Sequence, residues 1–227
     1  MSSIKRIVCL ANSRKLGGRC VAGKVIADHQ ISGWLRPVSA LPTGELSSRQ
    51  CQYENGDDPQ PLDVIDVPLA CPVPHAFQTE NWEVASNERW VKIGRLKWQC
   101  LRKGADSPRS LWINNSSTRH GCHDRVTSQD AGSLDCSLYL IPVPRLSLTV
   151  ISPSVDFGDP ERRVQAAFRY RGTNYALWVT DPIVEAQLIK PKGPNKEDIG
   201  ECYLTISLGE EFLGFHYKLV AAIIRTS

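Results

Sequence analysis

Short apolar runs separated by turn-forming residues dominate the chain, and most of them read as strands. Ile4 to Leu10 is β-branched and apolar, and Asn12 to Gly18 follows it as a turn rich in Asn, Ser and Gly. Cys20 to Ile26 and Ile31 to Val38 form a second and third candidate around a polar turn. Residues 40–61 carry Pro42, Pro59 and Pro61, an acidic stretch at 54–58 and no periodicity, as a long functional or mobile connection would. Leu62 to Ala70 alternates as a strand with an irregularity expected near Asp66, and Pro68 suits an edge. Glu83 to Leu101 is the best helix candidate of the first half, with Trp90, Ile93, Leu96 and Trp98 roughly on one side and Gly94 against it.

The second half has a sharper pattern. Ser137 to Ile151 is one long strand-like run in which Pro142 and Pro144 imply a bend or an exposed edge. Arg163 to Tyr170 and Tyr175 to Thr180 flank Arg171-Gly-Thr-Asn174 as a hairpin. Asp181 suits an N-cap, Pro182 the first helical position and Pro191 a stop, so a short helix is expected over 182–189. Strands at Cys202 to Leu208 and Phe215 to Arg225 complete the order strand, strand, strand, helix, strand, strand. That order fits a five-stranded OB barrel, and an SH3-like or PUA-like barrel fits the pattern nearly as well. Four strand candidates before residue 71 suggest a second barrel, with a linker near Ser128 to Leu134. The expected class is therefore mainly β: two tandem small OB-like barrels with few short helices, over 1–134 with long insertions and over 135–227.

Composition narrows the setting. Of 227 residues, 41% are hydrophobic and 22% charged, ordinary for a globular chain. The last long apolar run, Leu219 to Ile224, is far short of a membrane helix, and Ile7 to Ala11 is too short for a signal-peptide core. A cytoplasmic protein without membrane association is expected. The eight cysteines include no CxxC pair, so they read as reduced small hydrophobes, with no metal site.

Charge is informative once divided. The net value is +3, yet residues 1–40 hold seven Lys and Arg against Asp28 alone. Residues 41–66 reverse this, and basic excess returns at 89–103 and 162–171. Clustered positive charge in a balanced chain is what a polyanion-binding face looks like.

Chemistry-bearing motifs are weak. Gly18-Arg-Cys-Val-Ala-Gly23-Lys24 spells a phosphate-binding loop, but Val25 replaces the metal-binding Ser or Thr and no long helix follows. Asp63 and Asp66, three apart on a strand, diverge and read as solvated acids. His120-Gly-Cys122-His123-Asp124 has no partner cluster at metal-site spacing. No residue stands out as catalytic and no cofactor is expected. In Gly33-Trp-Leu-Arg-Pro-Val38, period-two alternation puts Trp34 and Arg36 on one face and Leu35 on the other. Two readings stay open there: a base stacks on Trp34 while Arg36 holds a phosphate, or Trp34 anchors packing while Arg36 pairs with an acid such as Asp63. Tyr170, Tyr175 and Trp178 interleave with Arg163, Arg169 and Arg171 in the same manner, with Trp178 also suited to the core.

Several blocks in order resemble the bacterial dual OB-containing domain family: KRIVCLANSRKLGGRCVAGK at 5–24, Gly33 to Val38, Leu62-Asp-Val-Ile65, Gln78-Thr-Glu-Asn81 and YALWVTDP at 175–182. The resemblance implies tandem OB-like barrels from genome-defence contexts that bind nucleic acid or a nucleotide, with no established catalytic residue. The expected protein is a non-catalytic sensor or adaptor that serves a larger protein of the same system. Its candidate ligand-binding residues are Asn12, Ser13, Arg14, Lys15, Arg19, Lys24, Trp34, Arg36, Arg169, Arg171 and Tyr175. Two other classes remain open: a nucleotide- or nucleic-acid-processing enzyme with a site around Asn12 to Lys24 and Trp34 to Pro37, and a protein-interaction scaffold presenting Trp82, Trp90, Trp98 and Trp112.

Overall fold

The first strand has more length and more apolar residues than one neighbour can cover, and this decides the architecture. The computed structural model describes residues 2–28, 30–86, 88–152, 162–190 and 195–226. In it β1 (Ser3–Lys15) pairs antiparallel with β4 (Asp63–Pro72) through Ser3 to Val8 and with β2 (Gly18–Ala27) through Ile7 to Lys15. A register shift between Cys9 and Ala11 bends the strand as it changes partner. From β2 the sheet continues antiparallel to β3 (Gln30–Val38), then parallel to β5 (Asn81–Val84), which returns to β4. The ring β1–β2–β3–β5–β4–β1 is closed, with the short helix α1 (Ser48–Cys51) between its third and fourth strands. That is the OB arrangement. Ile7, Cys9, Val21, Leu35, Ile65, Val67, Leu69 and Trp90 fill its interior.

The second barrel repeats the scheme. The long run at 137–151 is broken at Pro144 and Arg145 into β8 (Leu138–Val143) and β9 (Leu146–Ile151), the bend that its prolines foretell. β9 pairs with β10 (Arg163–Tyr170), and β8 with β13 (Cys202–Phe212). β10 and β11 (Thr173–Val179) form the expected hairpin, its turn made by Arg171 and Gly172 with φ of 45° and 86°. β11 runs parallel to β14 (Phe215–Arg225), which pairs with β13. Between β11 and β13 lies α3 (Pro182–Leu188), capped by the Asp181 carboxylate, which accepts from the Ile183 and Val184 N–H groups. This second ring therefore also has the OB strand order rather than an SH3-like or PUA-like one.

Two sequence expectations change. The helix over Glu83 to Leu101 does not form: Glu83 and Val84 end β5, β6 (Val91–Arg95) adds to β4, and only a 3₁₀ turn follows at Trp98–Lys103. Val91 and Ile93 favour extended backbone and Gly94 weakens a helix, and β6 carries Lys92 and Arg95 to the carboxylate of Asp63 at 2.8 and 3.0 Å. Asp63 is fully buried rather than solvated, and also accepts from the Tyr53 hydroxyl. The stretch before residue 134 also packs on the second barrel, not the first. Leu111, Trp112, Val126 and Ala131 belong to the second core, β7 (Arg125–Thr127) pairs with β14, and α2 (Ser128–Ala131) follows it. β12 (Lys196–Ile199) extends the same sheet beyond β9.

One buried cation in this second core gives a testable pH dependence. Lys218 on β14 is 1% exposed, and its Nζ donates to the Ile113 carbonyl at 2.9 Å and to Asn114 Oδ1 at 2.8 Å. An uncharged amine has two N–H groups for those two acceptors, and burial pulls the group from 10.5 down to about 7. Between those values the unfolded chain binds a proton that the folded chain does not, so this group makes stability rise with pH across that window. Urea unfolding of the protein and of Lys218→Met from neutral to alkaline pH is expected to show a shallower rise in the variant. Parallel pH profiles would contradict it.

Candidate nucleic-acid interface

Trp34 and Arg36 lie on the outward face of the first barrel and Leu35 lies inside, as the alternation requires. That outward face is not open. The outer side of β1, β2 and β3 docks on the outer side of β8, β13 and β14, burying Val8, Leu10, Ala22, Leu138, Leu140, Tyr203, Ala222 and Ile224 in a third apolar cluster between the barrels. Polar contacts pin it: Thr205 Oγ1 donates to the Leu10 carbonyl at 2.6 Å, and Trp98 Nε1 to the Ile224 carbonyl at 3.1 Å.

Lys24, Trp34 and Arg36 are thereby committed to protein contacts. Lys24 Nζ lies 2.5 Å from Asp106 Oδ1, while Asp106 Oδ2 accepts from Trp34 Nε1 at 3.0 Å and from the Leu140 N–H at 2.8 Å. Arg36 pairs at 3.1 Å with Glu80, not Asp63, and donates to Ser137 Oγ at 2.8 Å; Ser137 in turn bonds Glu80. The glycines of the apparent phosphate loop serve close packing. A Cβ on Gly18 would meet the Leu46 carbonyl at 2.6 Å, and one on Gly23 the Val8 carbonyl at 2.3 Å. Ser13 is buried against the Cys20 carbonyl, and Tyr175 is a core residue whose hydroxyl accepts from Leu111 and Asn114.

The remaining candidates face solvent in two places. Arg14, Lys15 and Arg19 surround the β1–β2 turn. The Arg14 N–H donates to the Thr180 carbonyl at 2.9 Å, tying this hairpin to the second barrel. Its guanidinium, 51% exposed, pairs with Glu185 at 2.9 Å, Lys15 with Glu210 at 2.6 Å and Arg19 with Asp58 at 3.4 Å. Burial raises the Glu185 carboxyl, opposed by Arg14, and raises Asp181, opposed by the backbone N–H groups it accepts. Beside this hairpin a cleft of about 50 Å³ opens where the barrels meet. Residues 58–61 form one wall and 181–183 the other, with Asn12 and Arg19 on the first-barrel side. Arg169 and Arg171 line a separate, wider concavity of about 430 Å³ with Ser107, Pro142, Pro144 and Tyr170. Arg171 donates to Ser107 Oγ at 2.5 Å and Arg169 to the Gly172 carbonyl at 3.2 Å.

The acids that organise this joint, Glu80, Asp106, Asp181 and Glu185, carry no local sequence signal except Asp181, an N-cap before Pro182. The tryptophans offered as a partner surface are placed elsewhere. Trp90 and Trp112 are core residues, Trp98 is at the barrel interface, and Trp82 lies under Lys5, whose Nζ is 4.4 Å from the ring. Among the described residues no three His, Cys, Asp or Glu converge as a metal site, and no helix is long and apolar enough to cross a membrane. Burial raises the thiols of Cys9, Cys51 and Cys202, which keeps them protonated.

Among solved structures, a murine DNA-binding protein bound to double-stranded DNA aligns over 99% of both chains at 7% identity, with a TM-score of 0.35. The tetrameric p202 HIN2 aligns over 98% of this chain and 93% of its own at 9% identity and 0.33. The p204 HINb domain aligns over 96% and 97%, at 9% and 0.33. A search of curated proteins found no match. The two barrels have a counterpart in the sequence: the family model for the dual OB-containing domain matches residues 5–223, and the chain belongs to that family.

Proposed function

We propose that this protein is a non-catalytic nucleic-acid- or nucleotide-binding module whose ligand runs along the β1–β2 hairpin and the groove where the barrels meet. The observation that carries the reading is the placement of Arg14, Lys15 and Arg19 around one turn beside the inter-barrel cleft. The Lys15 and Arg19 pairs are partly solvated, and pairs of that kind contribute only about 0–1 kcal/mol. A phosphate therefore displaces Glu210 and Asp58 at small cost and gains the release of its own counterions, and it meets the exposed side of the Arg14 guanidinium with the pair to the buried Glu185 kept. Asn12 adds a polar contact at the cleft, and Arg169 and Arg171 offer a second anionic contact on the far concavity. The resemblance to bacterial defence-associated chains supports a role as a cytoplasmic sensor or adaptor for a larger protein of such a system.

Titrating single- and double-stranded oligonucleotides at several salt concentrations tests this. The affinity is expected to fall linearly in a log–log plot, and Arg14→Ala and Arg19→Ala each to lower the slope by about 1. A flat salt response, or variants that bind like the parent, would remove the hairpin from the ligand path.

A further inference from the structure

The tip of the β1–β2 hairpin holds a leucine that the fold does not need. Leu16 has φ of 49° in the turn between Lys15 and Gly18, a left-handed conformation that suits glycine and strains a branched side chain. It is 70% exposed, and among the described residues it joins none of the three apolar clusters. Strain of this kind persists only where the surroundings impose it, and it concentrates at functional positions. Here the turn is clamped from both sides. The Arg14 N–H donates to the Thr180 carbonyl at 2.9 Å, and Arg19 exchanges two backbone hydrogen bonds with Leu46, each at 2.8 Å. Arg14 and Arg19 lie directly opposite each other across the ribbon immediately behind the turn, and Lys15 adjoins it. A firmly held apolar tip therefore stands in front of three cations.

We infer that Leu16 is a wedge that enters a base step of double-stranded nucleic acid while Arg14, Lys15 and Arg19 hold nearby phosphates. This inference rests on the ligand class proposed above. Apolar side chains inserted between stacked base pairs are one way in which proteins kink a duplex. The aromatic inventory favours a duplex over a single strand. Unpaired bases are held by stacking on rings, and Trp34 and Tyr175 are both taken by protein contacts. An aliphatic tip offers no stacking plane, but it fills the gap in a step that has opened. Steps that unstack readily, such as TA, are the ones it would select. The β13–β14 hairpin supplies an internal comparison. Leu213 at its tip repeats the geometry, with φ of 51° and 75% exposure, and Lys15 bound to Glu210 at 2.6 Å brings the two hairpins together. There Glu210 and Glu211 precede the exposed Phe212 ring and the turn, and carboxylates repel a phosphate backbone. A strained leucine marks both tips; the charge around each decides which one suits a nucleic acid.

Short DNA duplexes carrying 2-aminopurine in a central TA step or within an A-tract are titrated with the full chain. Anisotropy of a terminal label reads affinity, and 2-aminopurine emission rises when the base unstacks. The TA duplex is expected to bind about tenfold more tightly than the A-tract duplex, and to brighten on binding. Leu16→Gly is expected to abolish both effects while keeping the slope of affinity against salt, because the cations remain. Its melting temperature is expected to hold or rise, since glycine accepts a positive φ without strain. Leu213→Gly relieves the same strain at the acidic tip and is expected to bind and brighten like the parent. Salt-dependent binding without brightening, or tighter binding to a single strand of the same sequence, overturns the wedge and leaves the phosphate-binding reading intact. Brightening that survives in Leu16→Gly, or is lost equally in Leu213→Gly, overturns the assignment to Leu16. A fall of several degrees in the melting temperature of Leu16→Gly makes the side chain a packing residue and overturns it too. Absence of binding to every probe overturns both readings.

Discussion

Arg36→Ala is expected to cost about 3–5 kcal/mol of stability, a fall of about 10 °C in melting temperature for a chain of this size, while affinity per folded molecule for oligonucleotides stays unchanged. The side chains of Arg36 and Glu80 are only 5% and 6% exposed, at 3.1 Å. Ser137 from the second barrel completes the network through its hydroxyl. Removing the guanidinium leaves the Glu80 carboxylate buried beside a single hydroxyl, and that uncompensated charge is the main cost. The physical reading makes a second demand. Replacing both ions with apolar residues of similar volume, as Arg36→Met with Glu80→Leu, is expected to recover most of the loss. Urea unfolding with parallel anisotropy measurements checks both. A loss of binding at unchanged stability would instead place Arg36 against the ligand.

Asp106→Ala is the other change with a large expected effect, about 3 kcal/mol. One carboxylate holds Lys24 Nζ, Trp34 Nε1 and the Leu140 N–H, so its removal leaves a buried cation and two buried donors unpaired. Lys24 is only 6% exposed, and so the stranded ammonium is the costliest of the three. Adding Lys24→Met to Asp106→Ala is expected to restore part of the stability, since it removes that ammonium. If the double variant is less stable than Asp106→Ala, the ion pair does not account for the loss.

The local pattern carried much of the fold. The hairpin at 163–180, the capped helix at Pro182 and the bend at Pro144 are all set by nearby residues: turn formers, an N-cap and prolines act within a few positions of themselves. The order of strands around one helix fitted an OB-like barrel and, nearly as well, an SH3-like or PUA-like one; the strand pairing decided between them. The region 83–101 was misleading, because apolar residues at roughly helical spacing also suit a strand joined to a 3₁₀ turn, and the charge on Asp63 that draws in Lys92 and Arg95 is distant in sequence.

The alternation in Gly33 to Val38 determined, without any structure, that Trp34 and Arg36 share a face opposite Leu35. What covers that face was decided by the tertiary structure alone. A period of two reports which side of a strand a residue occupies, and an outward side looks the same in sequence whether it meets solvent, a ligand or another barrel. Here the second barrel supplies Asp106 to Trp34 and Lys24, and Ser137 to Arg36. The cleft between 58–61 and 181–183 has the same origin, because its walls lie more than a hundred residues apart and come together only when the two barrels dock.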